Sequence, residues 1–93
     1  NGEATPFVKA ISAIKTRNAI IMAPHPRAQK SNNMAVAQMR GVLKKHGWPE
    51  DLIIGVEDIS VDRSKELMKQ CDLILATGGG GMDQAAYSSG TPA

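Results

Sequence analysis

Aromatic residues, cysteines and long hydrophobic runs are scarce in this sequence, and each scarcity excludes a class of protein. Only 3% of the 93 residues are aromatic, and twelve of the apolar residues are alanine, so the material for a large core is limited. The single cysteine, Cys71, cannot form an internal disulfide or a cysteine-rich metal site, which favours a reducing compartment such as the cytoplasm. No apolar run approaches the roughly 20 residues of a membrane helix, and the polar start lacks the charged region of a secretory signal.

The balance of charge is also close to even. Eleven Lys and Arg residues against nine Asp and Glu residues leave a formal charge of +2, which is too small to indicate a nucleic-acid or membrane surface. The two histidines, His25 and His46, and the one cysteine do not have the spacing of a metal site. We therefore expect no nucleic-acid, membrane or metal partner.

Apolar periodicity predicts seven elements in the order α-β-α-β-α-β-α. Helices are predicted from a cap at Thr5 to Lys15, from a cap within residues 31–33 to His46, from a cap at Ser60 to Gln70, and from Met82 to Ser89. The short continuous apolar runs 19–23, 52–56 and 72–76 are predicted strands, the first of them buried on both faces. This alternation indicates an α/β fold, with a Rossmann-like parallel sheet and flanking helices.

The two ends of the sequence suggest that this fold is incomplete. The chain starts without methionine, leads at once into a helical pattern, and closes on a turn at residues 90–93. We therefore expect residues 1–93 to form one partial nucleotide-binding domain, truncated at both ends.

A run of four glycines, Gly78, Gly79, Gly80 and Gly81, follows the third predicted strand and precedes the last predicted helix. Glycine lets a pyrophosphate approach the backbone because no Cβ intervenes, and a helix N-terminus offers free N–H groups. Thr77 adds a hydroxyl donor just before the run. The pattern favours phosphate binding over a flexible turn without a ligand, although it matches neither G-x-G-x-x-G nor G-x-x-x-x-G-K-[ST].

A second candidate site follows the first predicted strand, where Pro24, His25, Pro26 and Arg27 stand close to Lys30. Ligands of open α/β sheets gather at the carboxyl ends of the strands. A guanidinium and an ammonium group suit phosphate or carboxylate groups. A solvated loop whose basic residues only aid solubility fits the composition equally well.

The position of Cys71 in the predicted fold argues against a role as a nucleophile. It is predicted at the C-terminal end of the third helix, whereas it is the N-terminus of a helix that lowers the pKa of a thiol. We expect a buried and inert cysteine. No spacing of Ser, His and Asp indicates a catalytic triad.

Four strings of residues resemble the CoA-acylating aldehyde dehydrogenases, a branch of the aldehyde dehydrogenase superfamily. They are KTRNAII at 15–21, APHPRA at 23–28, ATGGGGM at 76–82 and AAYSSG at 85–90. The resemblance runs from end to end of the chain. The chain as a whole is similar to the middle of the cofactor-binding domain in these enzymes. The branch includes acetaldehyde, succinate-semialdehyde and sulfoacetaldehyde dehydrogenases and the aldehyde half of bifunctional aldehyde–alcohol dehydrogenases.

The resemblance implies oxidation of an aldehyde to an acyl-CoA with reduction of NAD. In that reaction a cysteine thiolate attacks the aldehyde, hydride passes to the nicotinamide, and coenzyme A takes the acyl group from the enzyme thioester. The family's nucleophilic cysteine lies downstream of Ala93 and does not match Cys71. We therefore expect the 93 residues alone to be inactive, and the full-length enzyme to be a homo-oligomer in the cytoplasm or in a bacterial microcompartment.

The resemblance also implies roles for individual residues. Asn1 matches the side-chain amide that helps to hold the oxyanion. Residues 23–27, from Ala23 to Arg27, match the stretch that meets the adenosine end of the nucleotide, and residues 78–81 match the helix start near the pyrophosphate. Ala23 and Pro26 stand where ordinary members have a Lys and a Glu that bind the ribose hydroxyls. Their absence implies weaker binding of the ribose and a pocket for the adenosine diphosphate group that NAD and CoA use in turn. It also implies a lower barrier to binding the 2′-phosphate of NADP.

Two alternatives to an acylating enzyme remain open from the sequence. One is a Rossmann-like nucleotide-binding module in another kind of protein. The other is a catalytically inactive homologue with a structural or assembly role. Because the fold is common to all three, the presence of a cysteine in the family's catalytic context beyond residue 93 would separate them.

Overall fold

A computed structural model of the chain describes residues 5–57, 60–77 and 80–93, and in the last helix it describes side chains from residue 84 onward. The described residues fall into two compact units, one within residues 5–57 and one from residue 60 to residue 93. The helices and strands are α1 (Thr5–Lys15), β1 (Ile20–Met22), α2 (Gln29–Lys45), β2 (Ile53–Gly55), α3 (Val61–Gln70) and α4 (Gly80–Ser88). Two 3₁₀ turns, Pro26–Ala28 and Glu50–Leu52, precede α2 and β2.

The first unit contains a two-stranded parallel sheet in which α2 is the crossover from β1 to β2. Ile20, Ile21 and Met22 pair with Ile53, Ile54 and Gly55 in order. The ladder extends by one bond, because the N–H of Val56 donates to the Met22 carbonyl oxygen at 2.9 Å. This pairing confirms the parallel arrangement that the alternation of strands and helices predicts.

One face of this sheet carries the core of the unit. Four buried side chains form the core cluster, Ala10, Met22, Val36 and Ile53. On the opposite face Ile21 and its partner Ile54 remain 49% and 38% exposed. The prediction that the first strand is buried on both faces is therefore wrong within this unit, because α1 and α2 both contact the sheet but leave this face uncovered.

The start of α2 differs from its prediction. A cap was predicted within residues 31–33, but the helix begins at Gln29, directly after the 3₁₀ turn Pro26–Ala28. Because Pro26 has its φ already fixed near the helical value, the chain enters helical geometry at this turn and needs no later cap. Asn32 consequently lies inside α2, where it is only 6% exposed.

The C-terminal end of α2 follows the sequence signals. Gly47 adopts φ +80°, and its N–H donates to the Lys44 carbonyl oxygen at 3.1 Å. The N–H of Trp48 reaches the Leu43 carbonyl oxygen at 2.8 Å, which completes a Schellman motif. The glycine predicted as a C-cap is thus confirmed, and the helix ends where the chain turns towards β2.

In the second unit, α3 and α4 contact each other. The hydroxyl oxygen of Ser60 accepts a hydrogen bond from the N–H of Arg63 at 3.1 Å, so the predicted cap of α3 is confirmed. At the other end the Thr91 hydroxyl donates to the Met68 carbonyl oxygen at 2.5 Å, which ties the C-terminal residues to α3. None of the helices in the described ranges combines the length and apolar character of a membrane span.

The third predicted strand is not formed, so the full seven-element Rossmann-like pattern is not confirmed. Residues 73–77 have no strand assignment, although the coarser α/β class fits the helices and the parallel pair. The N–H of Ile74 donates to the Pro92 carbonyl oxygen at 2.8 Å. Leu73 and Leu75 remain 66% and 59% exposed. The physical reason is that a strand exists only when it is paired, and the described part of this unit holds no strand beside residues 73–77.

Candidate cofactor-binding site

The loop between β1 and α2 contains five of the predicted site residues, at the carboxyl end of the parallel pair. Ala23 and Pro24 leave the strand, His25 stands just before the 3₁₀ turn, and Pro26 and Arg27 lie within it. His25 accepts two hydrogen bonds that stabilise this turn. Its ring Nδ1 accepts a hydrogen bond from the N–H of Arg27 at 3.1 Å, and its carbonyl oxygen accepts one from the N–H of Ala28 at 2.8 Å.

Two cations face solvent at this end of the sheet: Arg27 lies in the 3₁₀ turn, and Lys30 is the second residue of α2. Arg27 and Lys30 are exposed, and within the described residues no ion pair or hydrogen bond engages the guanidinium of Arg27. Ala23 and Pro26 have no polar side-chain atom with which to bind a hydroxyl group. The loop and the first turn of α2 can therefore attract an anion through these two cations, but Ala23 and Pro26 add no side-chain hydrogen bond to a sugar.

The N-terminal half of α2 packs closely against the end of β2. A Cβ atom added to Gly55 would lie 3.3 Å from the Val36 side chain and 3.5 Å from the Asn33 Oδ1 atom. The carboxyl ends of both strands are thus held next to α2 and the loop that precedes it. Glycine at this position allows the close approach, a feature that the short run of residues 52–56 did not reveal.

Asn32 is a buried polar residue that sequence reasoning missed. Its side-chain Nδ2 atom is buried and has no hydrogen-bond partner among the described residues. An unpaired buried amide generally costs about 1–3 kcal/mol. The only sequence signal was its place on the apolar stripe of α2, four residues before Val36.

The glycine-rich segment belongs to the second unit. Thr77 is exposed and ends the irregular stretch 73–77, and Gly80 and Gly81 are the first two residues of α4. The helix therefore begins two residues earlier than the predicted start at Met82. Gly78, Gly79 and the predicted oxyanion residue Asn1 lie outside the described residues.

An open groove lies between α3 and α4 and was not anticipated from the sequence. Its volume is about 430 Å³, and its lining residues are Lys65, Lys69, Gln84, Ala85, Ser88 and Ser89. Lys65 and Lys69 are one helical turn apart, so their ammonium groups give this groove a positive character. The serine and glutamine side chains add neutral hydrogen-bonding groups.

Cys71 is half-buried, whereas a buried cysteine was predicted. It follows the last turn of α3, where its Sγ atom lies 3.6 Å from the Met68 carbonyl oxygen. It is a free thiol. In the parts of the chain that the structure describes, no group of three or more His, Cys, Asp or Glu side chains is placed to hold a metal ion.

Comparison with known proteins gives full-length matches to segments of larger enzymes. The chain is 54% identical over all 93 residues to a sulfoacetaldehyde dehydrogenase from an Acholeplasma species, of which it covers 19%. It is 50% identical to an acetylating succinate-semialdehyde dehydrogenase from Clostridium kluyveri, of which it covers 20%. It is 47% identical to the bifunctional aldehyde-alcohol dehydrogenase of Escherichia coli K12, of which it covers 11%. No protein-family profile matches the chain.

These matches confirm the resemblance that the sequence strings indicate. All 93 residues of the chain take part in each alignment, without an unmatched stretch at either end. The chain spans only about a tenth to a fifth of the length of these relatives. The comparison therefore shows that the chain matches one segment of these longer enzymes.

Proposed function

We infer that this chain is a segment of the CoA-acylating aldehyde dehydrogenase family, and we propose that the protein that carries it converts an aldehyde to an acyl-CoA with reduction of NAD or NADP. The observation behind the proposal is identity of 47–54% along the whole chain to three enzymes that act on aldehydes by name. Such identity leaves little room for a different kind of nucleotide-binding module. The relatives are named for different aldehydes, among them sulfoacetaldehyde and succinate semialdehyde.

Residues 23–27 are our proposed contact with the adenosine end of the nucleotide. NAD and CoA both carry an adenosine diphosphate group, so one anion-binding loop can serve each in turn. The exposed guanidinium of Arg27 suits such a phosphate through a bidentate hydrogen bond, and Lys30 adds a point charge. Because Ala23 and Pro26 offer the ribose no polar side chain, we expect a modest affinity that permits exchange of NAD for CoA.

The second proposed contact is the start of α4. Thr77, Gly78, Gly79, Gly80 and Gly81 would lie along the pyrophosphate, with backbone N–H groups of the helix start as donors. Two features support this assignment: the helix begins within the glycine run, and the Thr77 side chain is exposed just before it. Asn1 is our proposed donor to the oxyanion of the reacting aldehyde.

Apart from the proposed oxyanion contact of Asn1, the chemistry of the reaction is divided between bound cofactors and residues outside this segment. When bound, the nicotinamide accepts a hydride and coenzyme A accepts the acyl group. The residues of this chain bind and orient the two nucleotides, whereas the nucleophilic cysteine belongs to a later part of the enzyme. Cys71 is not that cysteine, because it follows a helix C-terminus, where the dipole does not favour a thiolate.

The cellular setting of the enzyme is part of the same proposal. We propose a homo-oligomer in the cytoplasm, with a bacterial microcompartment as the alternative location. We propose small-molecule aldehydes and CoA as its partners. These proposals follow from the family resemblance.

A spectrophotometric assay of the full-length protein tests this function. The protein is incubated with a panel of acyl-CoAs and either NADH or NADPH, and oxidation of the nicotinamide is followed together with release of free CoA thiol. We expect the two signals to rise in equal amounts for at least one acyl-CoA, while the 93-residue chain shows neither. Nicotinamide oxidation that proceeds without CoA release would point to a non-acylating reaction.

A further inference from the structure

We propose that His25 is a positioning residue for Arg27, and that its neutral imidazole holds the turn that presents the Arg27 guanidinium to a phosphate group. This inference rests on the proposed function, since it takes Arg27 as a contact to the nucleotide. In this inference His25 affects ligand binding indirectly, by holding the main chain of Arg27 in place. Direct contact between the imidazole and the ligand is the competing role.

The hydrogen bond between the two residues fixes the tautomer of the histidine. Nδ1 of His25 accepts a hydrogen bond of 3.1 Å from the N–H of Arg27. Because a backbone N–H can only donate, Nδ1 must carry a lone pair, and the proton of the neutral ring must sit on Nε2. The turn therefore selects the Nε2–H tautomer.

The backbone around His25 is built to keep this geometry. His25 is extended, with φ −60° and ψ 143°, as expected for a residue that precedes proline. Pro26 fixes the first position of the turn, so Arg27 occupies the second position, whose N–H is a usual target of an N-cap side chain. The Ala28 N–H bond to the His25 carbonyl oxygen, 2.8 Å long, closes the same turn.

The position of the Arg27 guanidinium depends on this turn. Within the described residues no other side chain holds that guanidinium, so its location follows from its own backbone. Loss of an N-cap hydrogen bond shifts a local equilibrium by roughly five-fold. We expect removal of the imidazole to weaken phosphate binding by a similar factor.

Two substitutions separate positioning from direct contact. His25→Asn keeps an acceptor at the cap, because asparagine is among the best N-cap residues, but it removes the Nε2–H group. His25→Ala removes both. His46→Ala is the matched control, since His46 lies at the far end of α2 and outside the proposed site.

The variants are made in the full-length protein and titrated calorimetrically with CoA and, separately, with NAD. We expect His25→Ala to raise the dissociation constant of at least one ligand by roughly three- to ten-fold, and His25→Asn to restore it to within about two-fold of wild type. His46→Ala should bind like wild type. Thermal unfolding of each variant shows that the fold is retained.

A spectroscopic readout tests the hydrogen bond itself without any ligand. Long-range ¹H–¹⁵N correlation spectra of the imidazole should show a protonated Nε2 and an unprotonated Nδ1 for His25. The opposite tautomer would overturn the inference, and so would His25→Asn binding as weakly as His25→Ala, which would mean direct contact. Unchanged binding by His25→Ala overturns this inference alone, whereas a wild-type protein that binds neither CoA nor NAD overturns the proposed function as well.

Discussion

The Nη1 atom of Arg40 donates a hydrogen bond of 2.8 Å to the carbonyl oxygen of Ile53, the first residue of β2. The same nitrogen donates to the Glu50 carbonyl oxygen at 3.0 Å, so one guanidinium on α2 spans the 3₁₀ turn that leads into the strand. Ile53 is also the partner of Ile20 in the parallel ladder. Arg40 therefore links the crossover helix to the register of the sheet that supports the β1–α2 loop.

We expect Arg40→Lys to lower the free energy of unfolding of the full-length protein by about 1–3 kcal/mol, because one ammonium cannot reproduce the forked hydrogen bonds. Asp51→Asn is the matched control. The Asp51 side chain lies 3.1 Å from Nη2 but is 79% exposed, so its loss should cost less than about 1 kcal/mol. Chemical denaturation measures both, and equal effects would contradict the importance of the carbonyl contacts.

Gly55 and Gly41 should respond in opposite directions to substitution by alanine. A Cβ at Gly55 would press on the buried Val36 side chain at 3.3 Å, whereas one at Gly41 meets nothing within 4 Å. Gly41→Ala should stabilise α2 by about 0.5–1 kcal/mol, because glycine is a poor residue within a helix. Gly55→Ala should destabilise the unit. Thermal unfolding of both variants checks the signs, and a stabilised Gly55→Ala would refute the close packing of α2 on β2.

Asn32→Leu should raise the free energy of unfolding. The Asn32 side chain is buried, and its Nδ2 atom lacks a partner among the described residues, so an apolar side chain of similar size removes an unpaired amide. We expect a gain of up to about 1–3 kcal/mol in denaturant unfolding. A marked loss of stability would show instead that the amide is hydrogen-bonded in the intact protein.

Burial lowers the pKa of Lys9 on α1 by desolvating its ammonium group. A base with a lowered pKa in the folded state destabilises the fold while it is charged. That penalty applies below the folded pKa and disappears as pH rises towards the unfolded value. The stability of wild type relative to Lys9→Met should therefore increase as the pH is raised through the alkaline range. An NMR titration of the Lys9 Cε signal should give a midpoint below that of an unperturbed lysine, and a midpoint above it would contradict the desolvation.

The ends of the helices were the most predictable part of the fold, because they depend on local chemistry. The hydroxyl group of Ser60 caps the start of α3, and Gly47 adopts a positive φ at the end of α2, as their residue types predict. Arg17 shows the limit of such rules. It adopts φ 65° at the end of α1, and the N–H groups of Arg17 and Asn18 make the same pair of Schellman bonds as those of Gly47 and Trp48. Nothing in an arginine predicts that backbone.

Features that depend on pairing or covering were not predictable. Residues 72–76 have the composition of a strand but form none, because a strand needs a partner that the sequence of the segment does not specify. The exposed face at Ile21 and Ile54 follows from which elements cover the sheet. The composition of the strands alone does not determine which of their faces is covered.

The candidate site was predictable in position but not in detail. The apolar run of the first strand located residues 23–27 at its carboxyl end, where the structure has them. The cap bond from Arg27 to His25 and the contact of Gly55 with α2 depend on backbone geometry, and no residue pattern announced them. The roles of the site residues in cofactor binding stay predictions.

The measurement that tests the central proposal most directly is titration of the full-length protein with CoA and with NAD, in wild type and in Arg27→Gln. Lys44→Gln is the control, since Lys44 is an exposed cation near the opposite end of α2. If residues 23–27 bind the nucleotide phosphates, Arg27→Gln should weaken at least one ligand by about ten-fold or more, the loss expected for a hydrogen bond to a charged group, and Lys44→Gln should not. Unchanged dissociation constants for both ligands in Arg27→Gln would contradict the proposed site.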